Sequence, residues 1–393
     1  MSVPSRMVTA ALLMLLSATL AAQTRFDDAS QAGRAAREVF EQNYSVNNSP
    51  ALDCKVRTFP ARLSFDLQIS TGYEFLLPLR QFQGQPASVL LNVFRVTPRK
   101  LAGEPVWFVR RWPLREIPAD QKVDKRLALL LGGGFVVGPG DYEVDWLVID
   151  GAGRVCRKSW RVKARESRAE QLGLQPGGID DDRRLLSWRG PAAVGASARR
   201  ATIFLHAAPT YRRRLLTRLS WWDYRLLMTS VRNTIDRGGF TSARVVVFDL
   251  QRRQALFDAD EFTGREYRRL GEVLGGVDLA TIDYATLAKG PSEWEFLEGL
   301  LAAERKRPQQ PDAYIFISPA WREGERRRPL KAGLLEGLPR VFALALAPSG
   351  RFTAGTVVDF VKAARGRAFN VFQPPDLATA TGRLRRELDE VSR

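Results

Sequence analysis

His206 is the only histidine in the chain, so any chemistry that needs an imidazole must run through it. It follows the apolar run Ala201–Leu205, which places it at the carboxyl end of a strand. Asp249 and Ser318 end two further strand-like runs in the same way. In open α/β sheets ligands gather at that edge. A histidine paired with an aspartate beside a serine is the arrangement that activates a hydrolytic nucleophile. Two features oppose that chemistry here. No Gly-x-Ser-x-Gly elbow occurs, and Ser318 runs directly into Pro319 without the strained turn that exposes a nucleophile. Polar residues at a shared edge arise in any such sheet, and the plain expectation for His206 is a polar side chain satisfied by its neighbours. No enzymatic activity is expected.

Other residues with chemical potential are quickly placed. Cys54 and Cys156 are the only cysteines, both in segments that read as one β-domain, and in an oxidising compartment they are expected to form a disulfide. Gly132–Gly134 and Gly138-Pro139-Gly140 match neither a phosphate-binding loop nor a dinucleotide fingerprint, and they read as turns. Asp180-Asp181-Asp182 lacks the alternation and the glycine of a calcium loop, so a solvated linker is expected there. The formal charge is +17, from 60 Lys+Arg against 43 Asp+Glu. The arginine runs at 212–214, 305–307 and 326–328 stand beside turns with no interleaved aromatic residues, so nucleic acid is not the expected partner. A polyanion-binding envelope component is the alternative that this charge supports.

The elements that must position these residues fall into two patterns. Arg6 followed by the uncharged stretch Met7–Leu20 and the small residues at 19–22 reads as an export leader spanning residues 1–22. A periplasmic or secreted protein is expected, with membrane association only through an uncleaved leader. Residues 23–50 read as a short helix or arm. Over 51–165 the pattern is short strands broken by glycine and proline. Leu63–Ser70 alternates apolar and polar, Tyr73–Leu79, Val89–Val96 and Val106–Arg110 follow, and a hairpin turns at 150–153. Seven or eight such strands describe an immunoglobulin-like β-sandwich. Residues 166–198 read as a linker.

From 199 to 393 the period changes. Strands buried on both faces alternate with helices: Ala201–Leu205, a helix over Tyr211–Arg237 closed by Gly238-Gly239, Ala243–Leu250, an edge strand at 255–257, and a helix over 263–274. A helix over 292–305 capped by Ser292 comes next, followed by Ala313–Ser318, Val341–Ala347, a helix over 355–365, Ala368–Phe372 and a terminal helix over 377–391. A doubly wound, Rossmann-type three-layer α/β domain follows from this alternation. Trp222 shares the helix face of Leu219 and Leu226 and is expected in the core, with Trp221 at its flank.

This order of elements over 199–393 resembles the von Willebrand factor type A domain. The resemblance implies a metal-ion-dependent adhesion site, built from an Asp-x-Ser-x-Ser motif after the first strand, a threonine from a later loop and a late aspartate. Here the motif positions read His206-Ala207-Ala208-Pro209-Thr210, the late position reads Ser318-Pro319-Ala320, and Thr286 or Ser292 is the nearest loop hydroxyl. Without the carboxylates a magnesium ion loses its charge compensation, so no metal or other cofactor is expected. The expected function is an exported, metal-independent protein-interaction module. Its candidate surface is His206, Thr210, Asp249, Ser318 and Trp321 at the strand ends, and its partner is a protein. A hydrolase centred on His206 is the other alternative.

Overall fold

The structure is a computed structural model that describes residues 23–26, 30–45, 49–101, 103–165, 173–182, 188–191, 198–210, 218–277, 291–320, 328–331, 333–348, 350 and 355–391. The expected leader, Trp321, Thr286 and the arginine run at 212–214 lie outside these residues, as does the side chain of Trp221. The chain divides into two compact units, one comprising 1–64 and 68–182, the other 65–67 and 183–393. Both antiparallel and mixed sheets are present, with six α-helices among the described residues. No helix among these residues is long and apolar enough to cross a membrane.

The first unit holds nine strands: β1 (Thr24–Arg25), β2 (Lys55–Leu63), β3 (Ile69–Pro78), β4 (Ser88–Pro98), β5 (Val106–Leu114), β6 (Ala128–Val137), β7 (Gly140–Ile149), β8 (Val155–Ala164) and β9 (Ile179–Asp181). They form two antiparallel sheets, β1-β5-β4-β7-β8 and β2-β3-β6-β9. The aromatic residues Tyr73, Phe75, Phe94, Phe108, Phe135 and Trp146 come from both sheets and share one core. Helix α1 (Gln31–Tyr44) lays Ala36 and Phe40 against Leu91, Val93, Trp107 and Leu147 of the five-stranded sheet. Its N-cap is Ser30, whose hydroxyl accepts from the Gly33 amide. The segment expected as a short helix or arm thus contains a short strand and a helix that covers a sheet face.

Three further expectations need correction in this unit. Leu63–Ser70 is not one strand: β2 ends at Leu63, the chain turns through a left-handed Leu67 (φ 59°), and β3 begins at Ile69. The alternation misled because Phe65 and Leu67 are buried without being in a strand, Phe65 in the core cluster of the second unit, to which 65–67 belong. Gly132–Gly134 are not a turn but the middle of β6. A Cβ at Gly132 would lie 2.6 Å from the Tyr73 carbonyl oxygen, and one at Gly133 would overlap Gln23 Oε1 and stand 2.7 Å from Tyr73 Oη. Glycine leaves the room that the buried Gln23 side chain uses to donate from Nε2 to the Gly134 carbonyl at 2.6 Å. Within the expected linker, Ile179–Asp181 pairs with Phe135–Val137 as an edge strand. Its acidic residues are held partly by Arg25, which reaches Asp180 at 4.0 Å.

Cys54 and Cys156 form a disulfide with their Cα atoms 6.3 Å apart across 102 residues of sequence. Cys54 enters β2, an outer strand of one sheet, and Cys156 lies in β8, an outer strand of the other. The bond therefore closes one side of the two-sheet stack.

In the second unit a six-stranded sheet runs β12-β11-β10-β13-β14-β15, built from β10 (Arg200–His206), β11 (Ser242–Asp249), β12 (Gln254–Ala259), β13 (Ala313–Pro319), β14 (Arg340–Leu346) and β15 (Arg367–Val371). All neighbours are parallel except β12, which hairpins back on β11. Helices α2 (Trp221–Gly238), α3 (Gly264–Gly275) and α6 (Pro374–Val391) share a core with Ile203, Leu205, Val245, Val247 and Ile315. Helices α4 (Glu293–Arg305) and α5 (Thr356–Ala363) cover Phe204, Val246, Phe248 and Phe316 on the opposite face. Successive strand residues thus feed alternate cores, which is why these strands read as unbroken apolar runs. Ser220 caps α2 and Gly239 ends it in the left-handed region at φ 75°. The expected start of this helix at Tyr211 is too early, because the residue before the cap is already non-helical.

At the amino ends of the strands lies an ionic knot around a buried Arg244–Glu304 pair, with two exposed aspartates at its rim. Arg244 on β11 is held by Glu304 of α4 at 2.7 Å and by Asp258 at 2.6 Å, with Asp260 completing the set. Glu304 is itself buried and accepts from the Thr202 hydroxyl at 3.3 Å. Replacing one partner of such a pair strands the other in a dry site. Arg244→Met is expected to lower unfolding free energy by about 3 kcal/mol or more, with much of the loss recovered in Arg244→Met/Glu304→Leu. Chemical denaturation followed by circular dichroism reads both, and equal stability of the single variant and the parent would show the knot contributes nothing.

Candidate functional site

The carboxyl ends of β10, β11 and β13 bring two of the expected residues together and separate a third. Along β10 the side chains of Thr202, Phe204 and His206 share one face, and along β13 Tyr314, Phe316 and Ser318 share the same one. His206 Nδ1 lies 3.0 Å from Ser318 Oγ. The imidazole stacks flat on Phe248, with ring centroids 5.2 Å apart and planes at 5°. Asp249 follows Phe248 by one residue, so strand alternation turns it toward the other core. There its Oδ1 accepts from the amides of Gln251 at 2.8 Å and Arg252 at 3.1 Å, closing the tight turn into β12. Burial raises the Asp249 carboxyl above its usual range, and those two amides oppose the rise.

Ser318 Oγ stands within hydrogen-bond distance of both His206 Nδ1 and the Pro319 carbonyl, each at 3.0 Å. A hydroxyl has one proton, so Ser318 donates to one of the two at a time. Both side chains are buried, His206 at 4 % and Ser318 at 3 % exposure. The pair places two polar side chains at the end of an otherwise apolar face, with the Ser318 side chain as the imidazole's partner.

Beyond this pair, the loop after β10 is fastened by a group that the sequence reading did not single out. Asp223 in the first turn of α2 accepts from the Thr210 amide at 2.8 Å and the Thr210 hydroxyl at 2.6 Å through one oxygen. Its other oxygen accepts from the Ser220 hydroxyl at 2.6 Å, and the Ser220 oxygen accepts in turn from the Asp223 amide at 3.1 Å. The three residues are buried or half-buried. The available signal was Ser220-x-x-Asp223, serine followed three residues on by an acid, which is a helix-start pattern. What no pattern revealed was that the acid would turn to the preceding loop. Ser292, a possible loop ligand by resemblance, is used instead as the cap of α4 in a reciprocal pair with Glu295.

Trp222 corrects another expectation. It is 49 % exposed rather than in the core. The buried face of α2 is centred on Leu227, Val231 and Thr234, and Trp222 stands about 140° round the helix from Leu227 at 3.6 residues per turn. Its ring meets Phe65 edge-on at 6.2 Å. Among the described residues no group of three or more His, Cys, Asp or Glu side chains could hold a metal ion.

Burial holds the His206 imidazole down at about 3, against an ordinary 6.5. The unfolded chain then takes up the proton before the folded chain does. The stability contributed by neutral His206 is complete above pH 6.5 and is lost as pH falls from there toward 3, at up to about 1.4 kcal/mol per pH unit. As the chain has one histidine, a single imidazole NMR resonance is expected to hold its chemical shift from pH 8 to pH 5. A titration with midpoint near 6.5 would place His206 in solvent.

No family model matches the chain, and no curated protein matches it. Among solved structures the chain is similar to the conserved hypothetical protein BatB from Bacteroides thetaiotaomicron, with 13 % identity over 49 % of this chain and 98 % of that one and a TM-score of 0.29. It is also similar to catalytically inactive OgpA from Akkermansia muciniphila in complex with an O-glycopeptide, at 13 % identity, 34 % and 36 % coverage and a TM-score of 0.20. A third likeness is to the ApaA protein from Bordetella pertussis, at 10 % identity, 30 % and 99 % coverage and a TM-score of 0.19. Likenesses this remote assign no residue of the site.

Proposed function

We propose that the protein is an exported interaction module, whose second unit presents the loops at the carboxyl ends of its sheet to a protein partner without a metal ion. In this reading the first unit is an immunoglobulin-like sandwich and the second a divergent von Willebrand factor type A domain. The observation that carries it is the Asp223 clasp. Thr210, the one hydroxyl left in the motif after β10, donates its proton to a carboxylate of the same chain. Asp223 holds Thr210 and Ser220 by three donors from the protein itself, where the related adhesion site would use an ion. Residues fixed in this way cost little ordering entropy on binding. Trp222, exposed and one residue before Asp223, supplies the kind of rigid aromatic contact that dominates protein interfaces. The disulfide fits an oxidising compartment, which supports export.

The hydrolase reading has one contact in its favour, His206 to Ser318. The burial of both residues and the turning away of Asp249 weigh against it.

The test is affinity capture from envelope and culture-supernatant extracts with the chain from Gln23 onward, in the presence and absence of EDTA, followed by affinity measurement on the captured protein. A partner retained equally under chelation is expected. Trp222→Ala should weaken it by about 2 kcal/mol, roughly thirtyfold, and Thr210→Val should weaken it less. Loss of the partner with EDTA, or indifference to both substitutions, would overturn the assignment of this surface.

A further inference from the structure

Strand β15 is an outer strand of its sheet and pairs on one side only, with β14, among the described residues. Neither a bulge nor a proline interrupts it, so its second edge offers backbone donors and acceptors for another strand. Beside that edge lies an open hollow of about 510 Å³ between β15 and α6, lined by Arg367, Phe369, Arg383, Arg386, Glu387 and Glu390 together with Ala368. The strand residues of the hollow are thus centred on Ala368.

The charges on α6 have an order. Arg383, Arg386, Glu387 and Glu390 recur at the three- and four-residue spacing of one helix stripe, and the basic pair precedes the acidic pair. Glu387 is bridged by Arg367 and by Arg340, the latter at 3.6 Å. Arg383, Arg386 and Glu390 are exposed and have no ion-pair partner among the described residues. Arg386 and Glu387 flank a midpoint, and Arg383 lies as far before it as Glu390 lies after it. A stripe of this kind is complementary to its own antiparallel copy. Reversed and laid against itself, it sets arginine opposite glutamate at every position. An isologous two-fold contact requires that property.

We propose that two copies of this chain associate about a two-fold axis at the β15 edge, with the β15 strands pairing antiparallel and the α6 stripes facing across the hollow. Pairing centred on Ala368 sets each Arg367 opposite Phe369 of the other copy rather than opposite another arginine. Arg383 of each copy meets Glu390 of the other. The six-stranded sheet then continues across the axis into its copy. An acidic peptide would satisfy the arginines but would leave Glu390 facing like charge, so a second copy fits the stripe better.

Sedimentation velocity on the chain from Gln23 onward, over a range of concentrations and at low and high salt, tests this. A dimer that weakens with salt is expected. Arg383→Glu and Glu390→Arg alone each convert two attractions per dimer into repulsions and should weaken association by about tenfold. The double charge swap R383E/E390R should restore it, and unchanged thermal unfolding of all three variants controls for folding. A monomer at every concentration would overturn the proposal. So would a dimer indifferent to the single substitutions, or single losses that the double swap fails to repair.

Discussion

A parallel sheet buried on both faces leaves the polar groups at its ends with no partners except one another, and the second unit is organised by how it meets that constraint. At the amino ends of the strands Arg244 is sunk among Glu304, Asp258 and Asp260. At the carboxyl ends His206 and Ser318 satisfy each other above Phe204 and Phe316, and Asp223 gathers the loop that follows. The central strands carry almost nothing but apolar side chains between these two polar closures. The first closure is ionic and multiply paired. The second is built mostly of neutral donors and one carboxylate.

That difference bears on what the strand ends can do. A catalytic constellation needs groups that are poised, accessible and incompletely satisfied. His206 and Ser318 are buried, and the Asp249 carboxylate accepts from the amides of the turn into β12. The proposed function uses the strand ends for recognition instead, where a residue held as Thr210 is held is an asset. The exposed ring of Trp222 next to the clasp gives such a surface an apolar anchor.

Much of this architecture was legible in the residues because burial on two faces writes an unmistakable pattern. Ile203-Phe204-Leu205, Val245–Phe248 and Ile315–Ile317 could be read as central strands without any neighbour being known. Side-chain direction was harder. That His206 and Asp249 point to different cores depends on the register between β10 and β11, and no single strand records its register. Alternation around Phe65 and Leu67 imitated a strand because the two residues are buried for a tertiary reason. The triple glycine looked like a turn because its cause, the Gln23 side chain, comes from more than a hundred residues earlier. Trp222 was misplaced because apolar spacing identifies a stripe but not where its centre lies.

The disulfide divides the molecule in a further sense. Both cysteines of the chain belong to the first unit, where they tie the outer strands of two sheets together. The opposite flank of the stack carries no covalent tie and is joined by side-chain hydrogen bonds and ion pairs, from Gln23 to Gly134, from Arg110 to Gly132 and from Arg25 to β9. The second unit contains no cysteine, and its one sulfur, the thioether of Met228, is inert to thiols. Electron supply in the surroundings therefore acts on one half of the chain alone. A reducing environment loosens the sandwich along one seam, while the half that carries the strand-end surface and the β15 edge has no cystine to lose.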